Sequence, residues 1–505
     1  MFQRRKPSTG NLPVSTSVPE LETPMPSSSS SASKPTSFCD SLSFKSLLFS
    51  FSLLLNLYLI FLLCSQRVPP TISTRSSTFV PTTRSSTFVP TTRSHILFAI
   101  ASSSVSWPRR HPYLRLWYSP NTTRSLAFLD SPPASDSSSS SSSLPSVVIN
   151  GDTSRFPYTF RGGLRSAIRV ARVVKEAVER GEKEVRWFVF GDDDTVFLVE
   201  NVVSVLSKYD HDRWYYVGSN SESYEQNEKY SFEMAFGGGG FAVSHALGRV
   251  LARVLDSCLK RYGHLYGSDA RIYSCVAELG IGLTHEPGFH QLDMRGDLFG
   301  ILAAHPLSPL LSLHHLEAVE PLFPNMNRTQ ALEHLMAAAA VDPARILQQT
   351  VCYDRSKSLT FSVSWGFAIQ VFEGNEFLPD LLQVQRTFVP WKRGSKVVGK
   401  FMFNTRDYPR DPCQRPFLFF MKSVEYDKSG IWSNYTRHAV GKCFEESNSV
   451  KQLKKIIVFS RKLVLNVEEL KAPRRQCCDV LPSSNETTII HLRHCGTDEL
   501  ISMYQ

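Results

Sequence analysis

Val185-Arg186-Trp187-Phe188-Val189-Phe190-Gly191-Asp192-Asp193-Asp194-Thr195 is the stretch on which the fold turns. A short run of β-branched and aromatic residues reads as a buried parallel strand, and Gly191 supplies a place for the chain to turn before an apolar-periodic helix. Three carboxylates therefore stand at the carboxyl end of a strand, where open α/β sheets bind ligands. Clustered carboxylates repel one another unless a cation neutralises them, which suits a divalent metal carrying a phosphate. The same triplet also reads as a solvated turn or a helix N-terminus favoured by the dipole.

Working outward, strands and helices alternate. His95 to Ala101 reads as a first strand, Leu126 to Asp130 as a second, and Gly162 to Arg180 as a helix with Leu164, Ile168, Ala171, Val174 and Val178 on one face. Arg165, Arg169 and Arg172 on its other side read as a solvated face, with phosphate contact as the alternative. After the acidic turn come a helix over Val199 to Leu206 and a strand over Trp214 to Gly218. The Gly237-Gly238-Gly239-Gly240 run permits close backbone approach to a ligand, although such runs are often plain turns. Ser244 reads as the cap of an amphipathic helix, and Asp269 falls in the first turn of the next. His314 and His315 bring imidazoles that, added to distant aspartates, complete an N/O set for a hard cation such as manganese. The pattern predicts an α/β, doubly wound mixed sheet over 95–350 and a smaller β-rich C-terminal region over 351–505.

The N-terminal part differs in kind. Residues 1–46 are Ser-, Thr- and Pro-rich and basic, which reads as a disordered tail. Residues 47–64, LLFSFSLLLNLYLIFLLC, carry no charge and approach the length of a bilayer core, which reads as an uncleaved membrane anchor, with a Ser-rich transit peptide as the rival. Residues 65–94 contain a tandem RSSTFVPTT repeat and read as a stem. Sequons at Asn121, Asn327, Asn434 and Asn485 all follow the apolar stretch, as do eight of the ten cysteines, so the body is expected in an oxidising lumen. The net charge of +10 allows anionic partners without choosing among them. Helix-turn-helix and metal-finger spacings are absent, so nucleic acid is not an expected partner.

WFVFGDDDT, FGGGGFAVS, YGSD and SLHHLE, in that order, resemble the Fringe-related branch of the family 31 glycosyltransferases, and DTSRFPYTFRGG with LFP and CYDRS is similar to the plant Fringe-like group once described as a domain of unknown function. The resemblance covers roughly residues 95 to 355 and implies a GT-A fold, a UDP-sugar donor, Mn2+ and an inverting transfer to a glycan or glycoprotein that leaves a β-linkage. It places Asp192, Asp193 and Asp194 on the family's acidic triplet, with Asp194 on the metal and Asp192 on the metal shell or the ribose side. Gly238 and Gly239 fall on the loop beside donor and acceptor, Asp269 on the catalytic base, and one of His314 or His315 on the metal. Taken with the basic tail, the apolar stretch and the sequons after it, the expectation is a single-pass type II protein of the Golgi membrane. Gly191, where many relatives are acidic, GGGG in place of GGAG, and the serine run Ser137–Ser143 depart from the pattern. They keep open a catalytically silent carbohydrate-binding or scaffold protein on the same fold; a homo-oligomer is also left open.

Overall fold

The computed structural model describes residues 52–59, 90–133, 143–392, 400–439, 449–482 and 484–504. Residues 52–59 form a helix, α1, with exposed side chains. Among the described residues no helix is long and apolar enough to cross a membrane, and most of the expected anchor 47–64, the tail and the repeat lie outside them.

In chain order the body begins with β1 (Ile96–Ala101), α2 (Trp107–Arg115), β2 (Arg124–Leu129), β3 (Ser146–Ile149), α3 (Ser166–Glu179), β4 (Trp187–Asp192), β5 (Val196–Phe197), α4 (Val199–Leu206) and β6 (Tyr216–Gly218). It continues with α5 (Tyr224–Lys229), β7 (Phe241–Ser244), α6 (His245–Arg261), α7 (Asp269–Glu278), β8 (Leu283–His285), β9 (Phe289–His290), β10 (Met294–Gly296), α8 (Phe299–Ala303), β11 (Ser312–Leu313) and α9 (Arg328–Val341).

Seven strands make one sheet in the order β3-β2-β1-β4-β7-β6-β8. All neighbours are parallel except β7, which runs antiparallel to β4 and β6. The expected α/β class with a mixed sheet is therefore what the chain adopts. Its central strands are buried on both faces. Along β1, Ile96, Phe98 and Ile100 enter one apolar cluster and Leu97, Ala99 and Ala101 another, so period-2 alternation distributes an all-apolar strand between two layers. α3, α6 and α7 cover the second layer. Residues of α2, α4 and α9 join the first, which continues without a break into the C-terminal sheet.

That C-terminal sheet has eight strands, in the order Gln349–Asp354, Leu359–Ser364, Ala368–Glu373, Phe417–Tyr426, Ile431–His438, Lys455–Ser460, Thr487–Arg493, Cys477–Leu481. The disulfide Cys352–Cys478 joins the two edge strands, Cys477–Cys495 ties the edge strand Cys477–Leu481 to the segment just after Thr487–Arg493, and Cys258–Cys275 joins α6 to α7.

Two local expectations are corrected. Gly191 is not the turn: β4 runs on through Asp192, and Gly191 is there because a Cβ would lie 2.8 Å from the Phe197 ring. The arginine face of α3 is solvated only at Arg165, which is exposed. Arg172 is buried and pairs with Glu176 and Asp256, while Arg169 donates to the carbonyls of Ser102 and Phe128 and to Asn150. α6 lies across that face and supplies Asp256. Ser244 does cap α6, its hydroxyl accepting from the Leu247 amide.

Candidate metal and donor site

β4 ends at Asp192, level with Ala101 at the end of β1, so the acidic triplet opens where the parallel strands stop. Its three side chains separate. Asp193 turns into the body and accepts hydrogen bonds from Ser102 Oγ (2.7 Å), Ser106 Oγ (2.6 Å) and Arg110 Nη1 (3.0 Å). Asp194 is 1% exposed, with Oδ2 3.2 Å from Arg110 Nη2 and Oδ1 3.2 Å from His314 Nε2. Asp192 keeps 39% of its side chain exposed and lies 3.8 Å from the same His314 nitrogen. Thr195 fixes the turn, its hydroxyl accepting from the Asp192 amide and donating to the Gly238 carbonyl.

His314 arrives by strand register. β11 pairs with β5 on one side and β9 on the other, Leu313 facing Val196, so the residue after Leu313 comes beside Asp194. His315 does not join it. His315 is left-handed (φ 52°), its Nδ1 lies 3.2 Å from Asp293 and its ring stacks on Trp391.

The glycine run is the hinge between this cluster and Asp269. A Cβ on Gly237 would lie 2.5 Å from Asp269 Oδ1, and one on Gly238 would lie 2.2 Å from His314 Cε1, so neither position has room for a side chain. Gly239 donates to Gln291 Oε1 and its carbonyl accepts from Ser312 Oγ. Asp269, first residue of α7, accepts from the Ser268 hydroxyl and the Gly237 amide. It borders a cleft of about 460 Å³ whose other walls include Tyr230, Tyr266, Gln291, His315 and Trp391.

Partial desolvation in the cleft raises Asp192, damped by the part of its side chain that meets solvent, with the neighbouring carboxylates adding to the rise against His314. Burial also raises Asp269, to about 6. For Asp194, burial works in the same direction but is overcome by His314 and then Arg110, which bring it to about 2. His314 shows the reciprocal effect: desolvation disfavours its charge, yet Asp194 and then Asp192 leave it raised. Burial and the His314 charge lower His315.

Asp192, Asp194 and His314 present ligand atoms within 4.8 Å of one another. His314 Nδ1 is buried without a hydrogen-bond partner, and the Asp194 oxygens are held by the ion pairs to Arg110 and His314 without an aligned hydrogen bond, which leaves their lone pairs open to a cation. The donor set, two carboxylates and an imidazole, fits a divalent cation of the manganese type. Among the residues singled out in the sequence, the structure thus gathers Asp192, Asp194 and His314, with Gly238 against the histidine and Asp269 beyond Gly237. Asp193 and His315 are engaged elsewhere. Arg110, Ser102, Ser106, Gln291 and Trp391 carry the site without having been singled out; the small residues after β1 were the only local signal for any of them.

A family model described as "Protein of unknown function, DUF604" matches residues 226–478, and one described as "Fringe-like" matches 134–299. A human protein named "Beta-1,3-glucosyltransferase" is 28% identical over 149 residues, 30% of this chain and 27% of that protein. The mouse protein of the same name is 27% identical over 119 residues, 24% of this chain and 23% of its own length, so the match spans about a quarter of each relative. A solved structure titled "Mannosyltransferase PcManGT from Pyrobaculum calidifontis in complex with GDP-Man and Mn2+" aligns with a TM-score of 0.24 and 12% identity over 40% of this chain and 58% of that one.

Proposed function

The chain belongs to the family described as "Protein of unknown function, DUF604", and on the added likeness to the Fringe-like family over residues 134–299 we propose that it is a Fringe-related, metal-dependent inverting glycosyltransferase of GT-A type, moving a sugar from a UDP-sugar onto a glycan or glycoprotein with formation of a β-linkage. The observation that carries this reading is the Asp192/Asp194/His314 trio, set across a side-chain-free glycine turn from Asp269. Asp194, Asp192 and His314 would hold the cation. When bound, a divalent ion such as Mn2+ offsets the charge that develops on a diphosphate leaving group.

The chain's own residues account for the rest. Asp269, raised to about 6, is ionised near neutrality yet basic enough to take the proton of an acceptor hydroxyl lying in the 460 Å³ cleft. The acceptor oxygen then bonds to the anomeric carbon as the bond from that carbon to UDP breaks, in one displacement from the opposite face. Gly237 and Gly238 let donor and acceptor sides approach without a side chain between them. Arg110 and the serines around Asp193 keep the acidic turn in place. The sequons and the disulfides favour a Golgi-type lumenal body on a type II anchor.

The decisive experiment is a donor screen with the purified protein, manganese and individual UDP-sugars, reading UDP release. UDP-glucose comes first because of the relatives' name. Manganese-dependent UDP release lost in Asp269→Asn supports the reading. Donor and glycan binding with no release from any donor refutes it in favour of a silent binding protein.

A further inference from the structure

His315 poses a mechanical problem. A non-glycine residue in the left-handed region is strained and persists only where the surroundings over-determine it. Here φ is 52° and ψ 24°, one residue after His314, so the peptide that aims the His314 ring depends on whatever holds its neighbour. The Asp293 carboxylate lies 3.2 Å away, and Asp293 is itself fixed by Ser221 Oγ at 2.6 Å. The larger contact is with Trp391: the His315 and Trp391 ring centroids are 4.3 Å apart with 12° between planes.

Trp391 is itself locked. The Arg295 guanidinium carbon lies 4.2 Å from its ring centroid, and Arg295 Nε donates to the Trp391 carbonyl at 2.9 Å. Both positions follow from one ladder, because β10 pairs antiparallel with the short strand Phe388–Pro390, Arg295 opposite Val389. Trp391 is thus delivered onto the histidine pair by a strand that the chain reaches only after the first three strands of the C-terminal sheet, and beyond residues 134–299 that match the Fringe-like family. His314, His315 and Trp391 form one column of rings, the first two centroids 3.9 Å apart.

From this column we infer that Trp391 is a positioning residue for the metal site: the C-terminal region is a working part of the site, setting the direction of His314 through His315 without touching a ligand. The inference rests on the metal reading of the Asp192/Asp194/His314 trio. Residues that orient metal ligands without binding the ion typically change affinity 10- to 100-fold when removed.

The test uses the full-length chain. Mn2+ is titrated into the parent, Trp391→Ala and Trp391→Phe, and imidazole nitrogen spectra of histidine-labelled, metal-free protein are recorded alongside. Trp391→Ala should weaken Mn2+ binding 10-fold or more and move the His314 and His315 signals, whereas Trp391→Phe, which keeps a stacking face, should restore both. Should the alanine variant not fold, Arg295→Met, which removes the second contact on the indole, takes its place with a smaller shift in the same direction. Parent-like Mn2+ affinity in the alanine or methionine variant overturns the inference. If the parent itself takes up no Mn2+, the metal reading falls, and the metal-free spectra decide the brace alone: unmoved imidazole signals refute it.

Discussion

Gly238 faces His314 so closely that a Cβ built on it would lie 2.2 Å from Cε1, 2.5 Å from Nδ1 and 2.6 Å from Nε2 of the imidazole. One methyl group therefore tests whether the ring's position matters. His314 is 3% exposed and has little space in which to retreat. Gly238→Ala should move the ring off Asp194 and reduce Mn2+ affinity by about 10-fold or more, in the range seen when a ligand's orientation is lost. Isothermal titration with Mn2+ measures it; unchanged affinity would mean the ring is not a ligand.

Adjacent aspartates should behave oppositely. Asp194→Ala removes the carboxylate at the centre of the trio with Asp192 and His314, so Mn2+-dependent UDP binding should disappear. Its loss also leaves Arg110 and His314 without their shared carboxylate, so the metal-free variant should lose stability as well. Asp193→Ala instead leaves Ser102, Ser106 and the Arg110 guanidinium short of an acceptor, which should cost about 1–3 kcal/mol of stability. UDP binding on both variants, with thermal unfolding as the control, separates them: Asp194→Ala should lose binding and Asp193→Ala should keep it. Similar behaviour of the two would undo the division of labour within the triplet.

The sequence made the strand and its acidic end legible because a strand buried on both faces must be apolar throughout, and because a carboxyl strand end is where the sheet opens. Ser244 and Asp269 were legible for a similar reason: helix starts are encoded within a turn of chain. What the sequence left open was settled over long range. The choice between His314 and His315 depends on Leu313 pairing with Val196, and the fate of Arg172 depends on Asp256 from another helix. Trp391 had no local signal, since its role exists only once β10 has paired with the strand Phe388–Pro390.

The raised Asp269 carboxyl fixes the sign of two pH effects. As a base it must be ionised, so kcat/KM should rise about tenfold per pH unit below about 6 and level off above it. Stability of the metal-free protein should run the other way. Between the ordinary carboxylate value and about 6, the folded chain holds a proton at Asp269 that the unfolded chain has released, so stability falls as pH rises through that window. Asp192, raised but partly exposed, contributes a smaller share with the same sign. Asp269→Asn should abolish transfer and flatten its share of the stability slope; a variant whose stability profile matches the parent's would show that the carboxyl is not perturbed.

The sequons test the lumenal placement and are separable by their structural settings. Asn121 and Asn485 are exposed on turns. Asn327 is exposed and caps α9 through its side-chain oxygen, which accepts from the Gln330 amide; a glycan attached to the side-chain nitrogen leaves that bond intact. Asn434 differs. It lies within the strand Ile431–His438, is half-buried, and its side-chain nitrogen donates to Ser423 Oγ at 3.1 Å, so a glycan there would break that bond and crowd the neighbouring strand. Peptide mapping after enzymatic deglycosylation in heavy-oxygen water should therefore mark Asn121, Asn327 and Asn485 and leave Asn434 unmarked. Marking of Asn434 in folded protein would contradict this local geometry while keeping the lumenal placement. Absence of all four marks from protein made in a secretory host would instead place the body outside the lumen, and the Golgi reading would fall with it.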